Sequence, residues 1–168
     1  YSLGKALGWN KKDYIITTPI SFLATSNCIE FCNANTEFVD VNPDFPTINL
    51  DQVKKKFFEL KRKNKKVVAI IAVDYAGVPC DWKGLRKFAS EVKSKLINDN
   101  CHAMGTKYYN NRKYAIKYAD FVTQSFHPVK SITTGEGGAG ITNDKRINNL
   151  LKLNRNHCFI KDKKKIWD

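Results

Sequence analysis

A chain of 168 residues is one domain's length or part of a larger protein, and 42% hydrophobic with 12% aromatic content suits a packed core and excludes a disordered chain. No apolar run approaches a bilayer span and no basic-then-apolar start resembles a signal peptide, so no membrane partner is expected and a cytoplasmic location is. The net charge of +13 invites a polyanion, but the lysines are spread over helix-like segments without interleaved aromatics, so no nucleic acid is expected and the excess charge suits a phosphate-bearing substrate instead.

In chain order, residues 1–8 read as the end of an amphipathic helix, with Leu3 and Leu7 four apart. Tyr14 to Thr18 is strand-like and stops at Pro19. Ser21 is placed to cap a helix-like run, SFLATSNCIEFCN. Thr36 to Val41 predicts a second strand, followed by a loop, NPDFPTINL. Asp51 is placed to cap a Lys-rich helix running to about Asn64. Val67 to Val73 (VVAIIAV) is a continuous apolar strand, the kind buried on both faces, and Asp74 follows at its carboxyl end. Asp81 to Lys95 predicts another helix, and Leu96 to Asp99 a short strand that ends on a carboxylate. Asn110 to Ala119 reads as a polar loop, Asp120 to Phe126 as a segment leading to Lys130, and Gly138 to Asn143 as a returning strand. Asp144 caps a last helix to about Asn156, and the closing KDKKKIWD has no periodicity.

Strands alternate with helices throughout, which predicts an α/β fold with a mainly parallel sheet and helices on both faces. In such sheets ligands sit beyond the carboxyl ends of the strands. The polar residues that fall there are Asp74, Asp99, His102, Ser125 and Lys130. The five cysteines, Cys28, Cys32, Cys80, Cys101 and Cys158, are odd in number and irregular in spacing, so they read as free buried thiols rather than a disulfide framework or a metal site.

The stretch SFHPVKSITTGEGG, residues 125–138, carries the chemistry. Its lysine, Lys130, lies between a strand end and a glycine-rich turn rather than on a solvated helix face, although 24 of the 29 basic residues are lysines and composition alone would leave it unremarked. A partly desolvated amine is a nucleophile toward carbonyls. That chemistry suits a Schiff base with pyridoxal phosphate, which also needs a carboxylate for the pyridine nitrogen, a flat side chain against the ring and donors for the phosphate. Asp99 ends its strand 31 residues before Lys130, a spacing that fits either the pyridine partner or a simple cap. No G-x-G-x-x-G follows the first strand, so a dinucleotide-binding dehydrogenase is not expected.

The ordered series TTPISFLATSN, FVDVNPD, VDYAGVPCD, INDNCHAMG, SFHPVKSITTGEGG and ITND resembles the DegT-type nucleotide-sugar aminotransferases from about Tyr1 to Cys158. The TTPISF and VDYAG strings are most similar to that family's UDP-4-amino-4,6-dideoxy-N-acetyl-altrosamine transaminases of pseudaminic acid synthesis. The resemblance implies the large domain of a fold type I pyridoxal phosphate enzyme, with residues 1–168 its central part. The family's N-terminal phosphate-binding segment, a Gly-Thr or Gly-Ser, and its small C-terminal domain do not match any part of this chain. The resemblance further implies that Lys130 is the Schiff-base lysine and Asp99 the pyridine partner. His102 then lies near the ring's phenolic oxygen, Phe22 stacks on the ring, and Ser125 binds the phosphate. Each has a plainer reading: a core phenylalanine for Phe22, a capping or solvated residue for His102. His127 has no assigned role. Glu136, Gly137 and Gly138 match a turn whose glycines serve positive φ or close backbone approach. Arg155 and His157 resemble an RSHG-like element in which Cys158 replaces a glycine.

The implied activity is transamination of a keto nucleotide sugar, with glutamate as amino donor and a homodimer as the working assembly. A dehydratase relative that uses the same cofactor carries histidine at the anchoring position, where this chain has Lys130. A non-catalytic basic α/β binding module is the remaining alternative, and it would bind with a steep salt dependence.

Overall fold

The computed structural model describes residues 1–156. Six strands form one sheet: β1 Asp13–Thr17, β2 Asn35–Phe38, β3 Lys66–Val73, β4 Lys95–Asp99, β5 Phe121–Ser125 and β6 Gly138–Ile141. Their spatial order is β2-β1-β3-β4-β5-β6. The first five run parallel, and β6 pairs antiparallel to β5. The chain therefore leaves β1 in one direction, to β2, and returns to β1's other flank as β3. Such a reversal of strand order opens a crevice at the carboxyl ends of the strands.

Side chains of successive strand residues point to opposite faces, and the two cores follow that parity. On one face Ile16, Ile70, Ala72, Leu96 and Val122 pack under α3 Leu50–Arg62, α4 Trp82–Glu91 and α5 Tyr114–Tyr118, with Trp82, Leu85 and Tyr114 at the centre. On the other face Ile15, Ala69, Ile71, Ile97 and Phe121 pack under α1 Ser2–Leu7, α2 Ala24–Glu30 and α6 Lys145–Arg155, through Leu3, Ile29, Cys32 and Ile147. Both faces of β3 are thereby covered, which is why its sequence is apolar without alternation.

Several boundaries differ from the expectation. The helix after Pro19 begins at Ala24, and Ser21 does not cap it: the Ser21 hydroxyl lies 2.6 Å from the hydroxyl of Thr25. The Lys-rich helix is capped by Asn49, whose side-chain oxygen accepts from the backbone N–H groups of Asp51 and Gln52, and it ends at Arg62. Asp51 instead lies in the first turn, where its charge suits the helix dipole. β2 stops at Phe38, because Val41 turns away to bridge Ile48. The fourth helix ends at Glu91 rather than Lys95, since Lys93 takes a positive φ of 57°. The expected polar loop at 110–119 contains α5, whose Tyr114 is buried. Asp144 caps its helix as expected, and Asp81, read as the first helical residue, is the cap of α4; each accepts from a backbone N–H three residues on. No helix among the described residues is long and apolar enough to cross a membrane. Cys28, Cys32, Cys80 and Cys101 are free thiols, whereas Cys158, His157 and the KDKKKIWD end lie outside the described residues.

Candidate active site

A cavity of about 310 Å³ opens beyond the carboxyl ends of β3, β4 and β5. Phe22, Asp99, His102, Ser125 and Lys130 all line it. They come from four places in the chain, and the fold brings each in for its own reason.

Asp99 is the last residue of β4 and has the parity of Ile97, so it faces α2. One of its oxygens accepts from the Thr25 hydroxyl at 2.7 Å, and the other accepts from the Cys101 N–H at 3.3 Å. The carboxylate is thus held from both sides while still lining the cavity. Thr25 was not legible as a site residue: it is 74 residues from Asp99, and nothing in the string FLATSN marks it.

Ser125 ends β5 with the same parity, and its hydroxyl accepts a long 3.4 Å bond from the His127 N–H. Lys130 lies in the connection between β5 and β6, its N–H donating to the His127 carbonyl at 2.9 Å in a tight turn. Among the described residues its ammonium forms no ion pair. Phe22 stands in the segment between β1 and α2 with 71% of its surface exposed, which corrects the reading of a core phenylalanine.

His102 follows β4. Its Nδ1 accepts from the Ala76 N–H at 3.4 Å, and its ring meets that of Tyr75 edge-on at 5.3 Å. Burial, and then the positive charge of Lys130, hold this imidazole below its ordinary range, against a smaller opposing pull from Asp99. Cys101 also lines the cavity; burial, and then the neighbouring Asp99, push its thiol up to about 12. Glu136 and His127 close one side, 3.9 Å apart.

The turn glycines divide their work. Gly135 takes the positive φ of 76°, while Gly138 allows close approach: a Cβ there would lie 2.8 Å from the Gln124 carbonyl oxygen. Arg155 lies at the end of α6 on an exposed face; its partners His157 and Cys158 fall outside the described residues.

Asp74 does not join the site. Its parity turns it to the other face, where it is fully buried. One oxygen accepts from the Cys80 N–H and the Trp82 indole, and the other from Asn98, Asn100 and the Tyr114 hydroxyl. Burial pushes this carboxyl up, against the hydrogen bonds of Tyr114, Cys80, Asn98 and Trp82 that favour the charged form.

Residues 3–168 match the model of the DegT/DnrJ/EryC1/StrS aminotransferase family. The UDP-4-amino-4,6-dideoxy-N-acetyl-beta-L-altrosamine transaminase of Campylobacter jejuni is 36% identical over 97% of this chain. That stretch is 41% of the relative, so the chain spans about two fifths of its length. Among solved structures, Helicobacter pylori PseC, an aminotransferase involved in the biosynthesis of pseudoaminic acid, superposes with a TM-score of 0.82 at 30% identity, covering 96% of this chain and 43% of that one. NtdA from Bacillus subtilis with bound cofactor PMP superposes with a TM-score of 0.82 at 27% identity, covering 99% of this chain and 36% of that one.

Proposed function

The chain belongs to the DegT/DnrJ/EryC1/StrS aminotransferase family, and from that premise we propose that it carries the cofactor pocket of a pyridoxal phosphate enzyme that aminates a keto nucleotide sugar. The observation that carries this reading is the meeting of Lys130, Asp99, Ser125, His102 and Phe22 on one cavity. The set fits the group chemically. It offers a primary amine, a carboxylate fixed by two donors, a hydroxyl, an imidazole held below its ordinary range and a flat ring exposed at the cavity. The volume lies at the lower end of small-ligand sites, roughly 300 Å³.

When bound, pyridoxal phosphate supplies a carbonyl that takes up an amino group and a conjugated ring that accepts an electron pair as a proton leaves the neighbouring carbon. Lys130 would hold the cofactor covalently and, when released, its amine moves that proton. Asp99 would pair with the ring nitrogen and keep its positive charge in place. Ser125 would donate to the phosphate, Phe22 would cover one ring face, and His102 would hydrogen-bond at the ring's oxygen.

The acceptor we assign is a UDP-4-keto-6-deoxy-hexosamine, on the strength of the 36% identical transaminase. We assign glutamate as donor, polysaccharide biosynthesis as the setting and the cytoplasm as the place. In this reading residues 1–168 are the central part of a larger cofactor-binding domain, in keeping with the share of the relatives they cover. A homodimer is the proposed assembly: Phe22 and Val129 at the cavity, and Ile20, Leu23 and Ile132 beside them in sequence, are exposed apolar side chains that a second subunit would cover.

The test is borohydride reduction of the full-length protein with pyridoxal phosphate, followed by peptide mapping. The pyridoxyl group is expected on Lys130, and its absence, or its appearance on another lysine, ends the proposal. Lys130→Ala should abolish transamination and leave the circular dichroism spectrum unchanged.

A further inference from the structure

The segment between β1 and the first turn of α2 contributes more than a ring-covering phenylalanine. Thr25 is 5% exposed and donates two bonds of different purpose. Its backbone N–H donates to the Phe22 carbonyl at 3.0 Å, and its hydroxyl donates to Asp99 at 2.7 Å. The direction of the second bond is fixed, because a carboxylate has no hydrogen to give. With the Thr25 hydrogen committed to Asp99, the 2.6 Å contact with Ser21 must be a bond that Ser21 donates and Thr25 accepts. Its geometry is shorter than the alternative Ser21 bond to the Phe22 carbonyl at 3.2 Å. The result is a two-step relay, Ser21 to Thr25 to Asp99, in which each hydroxyl polarises the next.

Resting on the pyridoxal phosphate reading above, we propose that Thr25, backed by Ser21, is a positioning residue that sets the Asp99 carboxylate against the cofactor's ring nitrogen and the Phe22 backbone against its ring face. The other Asp99 oxygen accepts the longer 3.3 Å backbone bond from Cys101, with that residue's weakly donating thiol beside it, and these constrain rotation less than a short bond does. Without the Thr25 hydroxyl the carboxylate can turn about its Cβ–Cγ bond. It then meets the ring nitrogen off the line of a good hydrogen bond. Thr25 lines the cavity, but its hydroxyl hydrogen is given to Asp99, so its loss lowers turnover through the carboxylate more than it weakens sugar binding.

The experiment uses the full-length protein loaded with ring-15N pyridoxal phosphate. In Thr25→Val the 15N resonance is expected to move from the protonated-nitrogen range toward the neutral one. Release of the cofactor on dialysis is expected to quicken, and kcat to fall about tenfold with KM for the sugar within about twofold, the loss of one hydrogen bond to a charged group. Thr25→Ser, which keeps the hydroxyl, should restore the resonance and most of the turnover. An unshifted resonance with unchanged kcat in Thr25→Val, or an equal loss in Thr25→Ser, overturns the proposal while leaving cofactor attachment at Lys130 intact. Failure of the wild-type protein to label at Lys130 overturns the functional reading first and this inference with it. If Thr25→Val does not fold, Ser21→Ala decides. The same direction of shift with about threefold lower kcat supports the relay, and no change overturns it.

Discussion

His102 is held between groups that pull its proton in opposite directions. Burial and the Lys130 ammonium disfavour the imidazolium, while Asp99 favours it less strongly. The bond from the Ala76 N–H places the acceptor at Nδ1, so the neutral ring carries its hydrogen on Nε2. Two outcomes are expected by NMR. The ring titrates below the ordinary 6.5, and Lys130→Ala moves that value upward because the second-largest cause is gone. The sign for stability follows. Below pH 6.5 the unfolded chain takes up this proton before the folded one does. His102 therefore subtracts stability as pH falls from 6.5 through the depressed folded value, and contributes no pH dependence above that window. At this scale the sequence showed residue types but not their partners. Lys130 stood out by its place before a glycine turn and Asp99 by its place at a strand end. Thr25 was invisible, because a hydroxyl that bonds across 74 residues leaves no local pattern.

The elements were legible where one physical signal dominated. The run Val67 to Val73 reads as a strand covered on both faces, and Asp144 stands directly before its helix as the cap. The Lys-rich helix reads as capped by Asp51, but the backbone is extended two residues earlier, at Asn49, and the cap falls there. Asn49→Ala is therefore expected to cost about 1 kcal/mol in urea denaturation, and Asp51→Ala only a few tenths through the helix dipole. Equal losses would return the cap to Asp51. Ser21 failed as a cap for a related reason: the chain after Pro19 turns before it coils, so the helix starts three residues later and the serine is left to meet Thr25. α5 was missed because five residues are too few for a period to show.

In the molecule as a whole, the mainly parallel sheet and its two helix layers could be read from the alternation of elements, but the role of Asp74 could not. It stands at a strand's carboxyl end like Asp99, and only parity in the assembled sheet sends it to the opposite face. There it gathers the start of α4 through Cys80 and Trp82, the end of β4 through Asn98 and Asn100, and α5 through Tyr114. Asn100 in turn accepts from Gln124 of β5. Removing the carboxylate takes an acceptor from five buried donors, of which Asn100 keeps a second one in the Tyr114 hydroxyl. Asp74→Ala is expected to lower stability by about 3 kcal/mol or more, read by chemical denaturation, with cooperativity retained. A loss under about 1 kcal/mol would show that water replaces the carboxylate.

The parity that separates Asp99 from Asn100 and Ser125 from Gln124 also partitions heredity. A substitution at 99, 101 or 125 meets the ligand side, whereas one at 98, 100 or 124 meets the buried lattice beneath it. A saturation library scored twice, once for cellular abundance and once for the proposed sugar amination, should show tolerance alternating residue by residue through 98–101 and at 124–125, whereas Ile97 and Phe121 belong to the core. Abundance would fall at even numbers, and amination alone at the odd positions that reach the cavity. Chemistry and foldedness would then be free to evolve along the same strand on interleaved tracks, one letter apart.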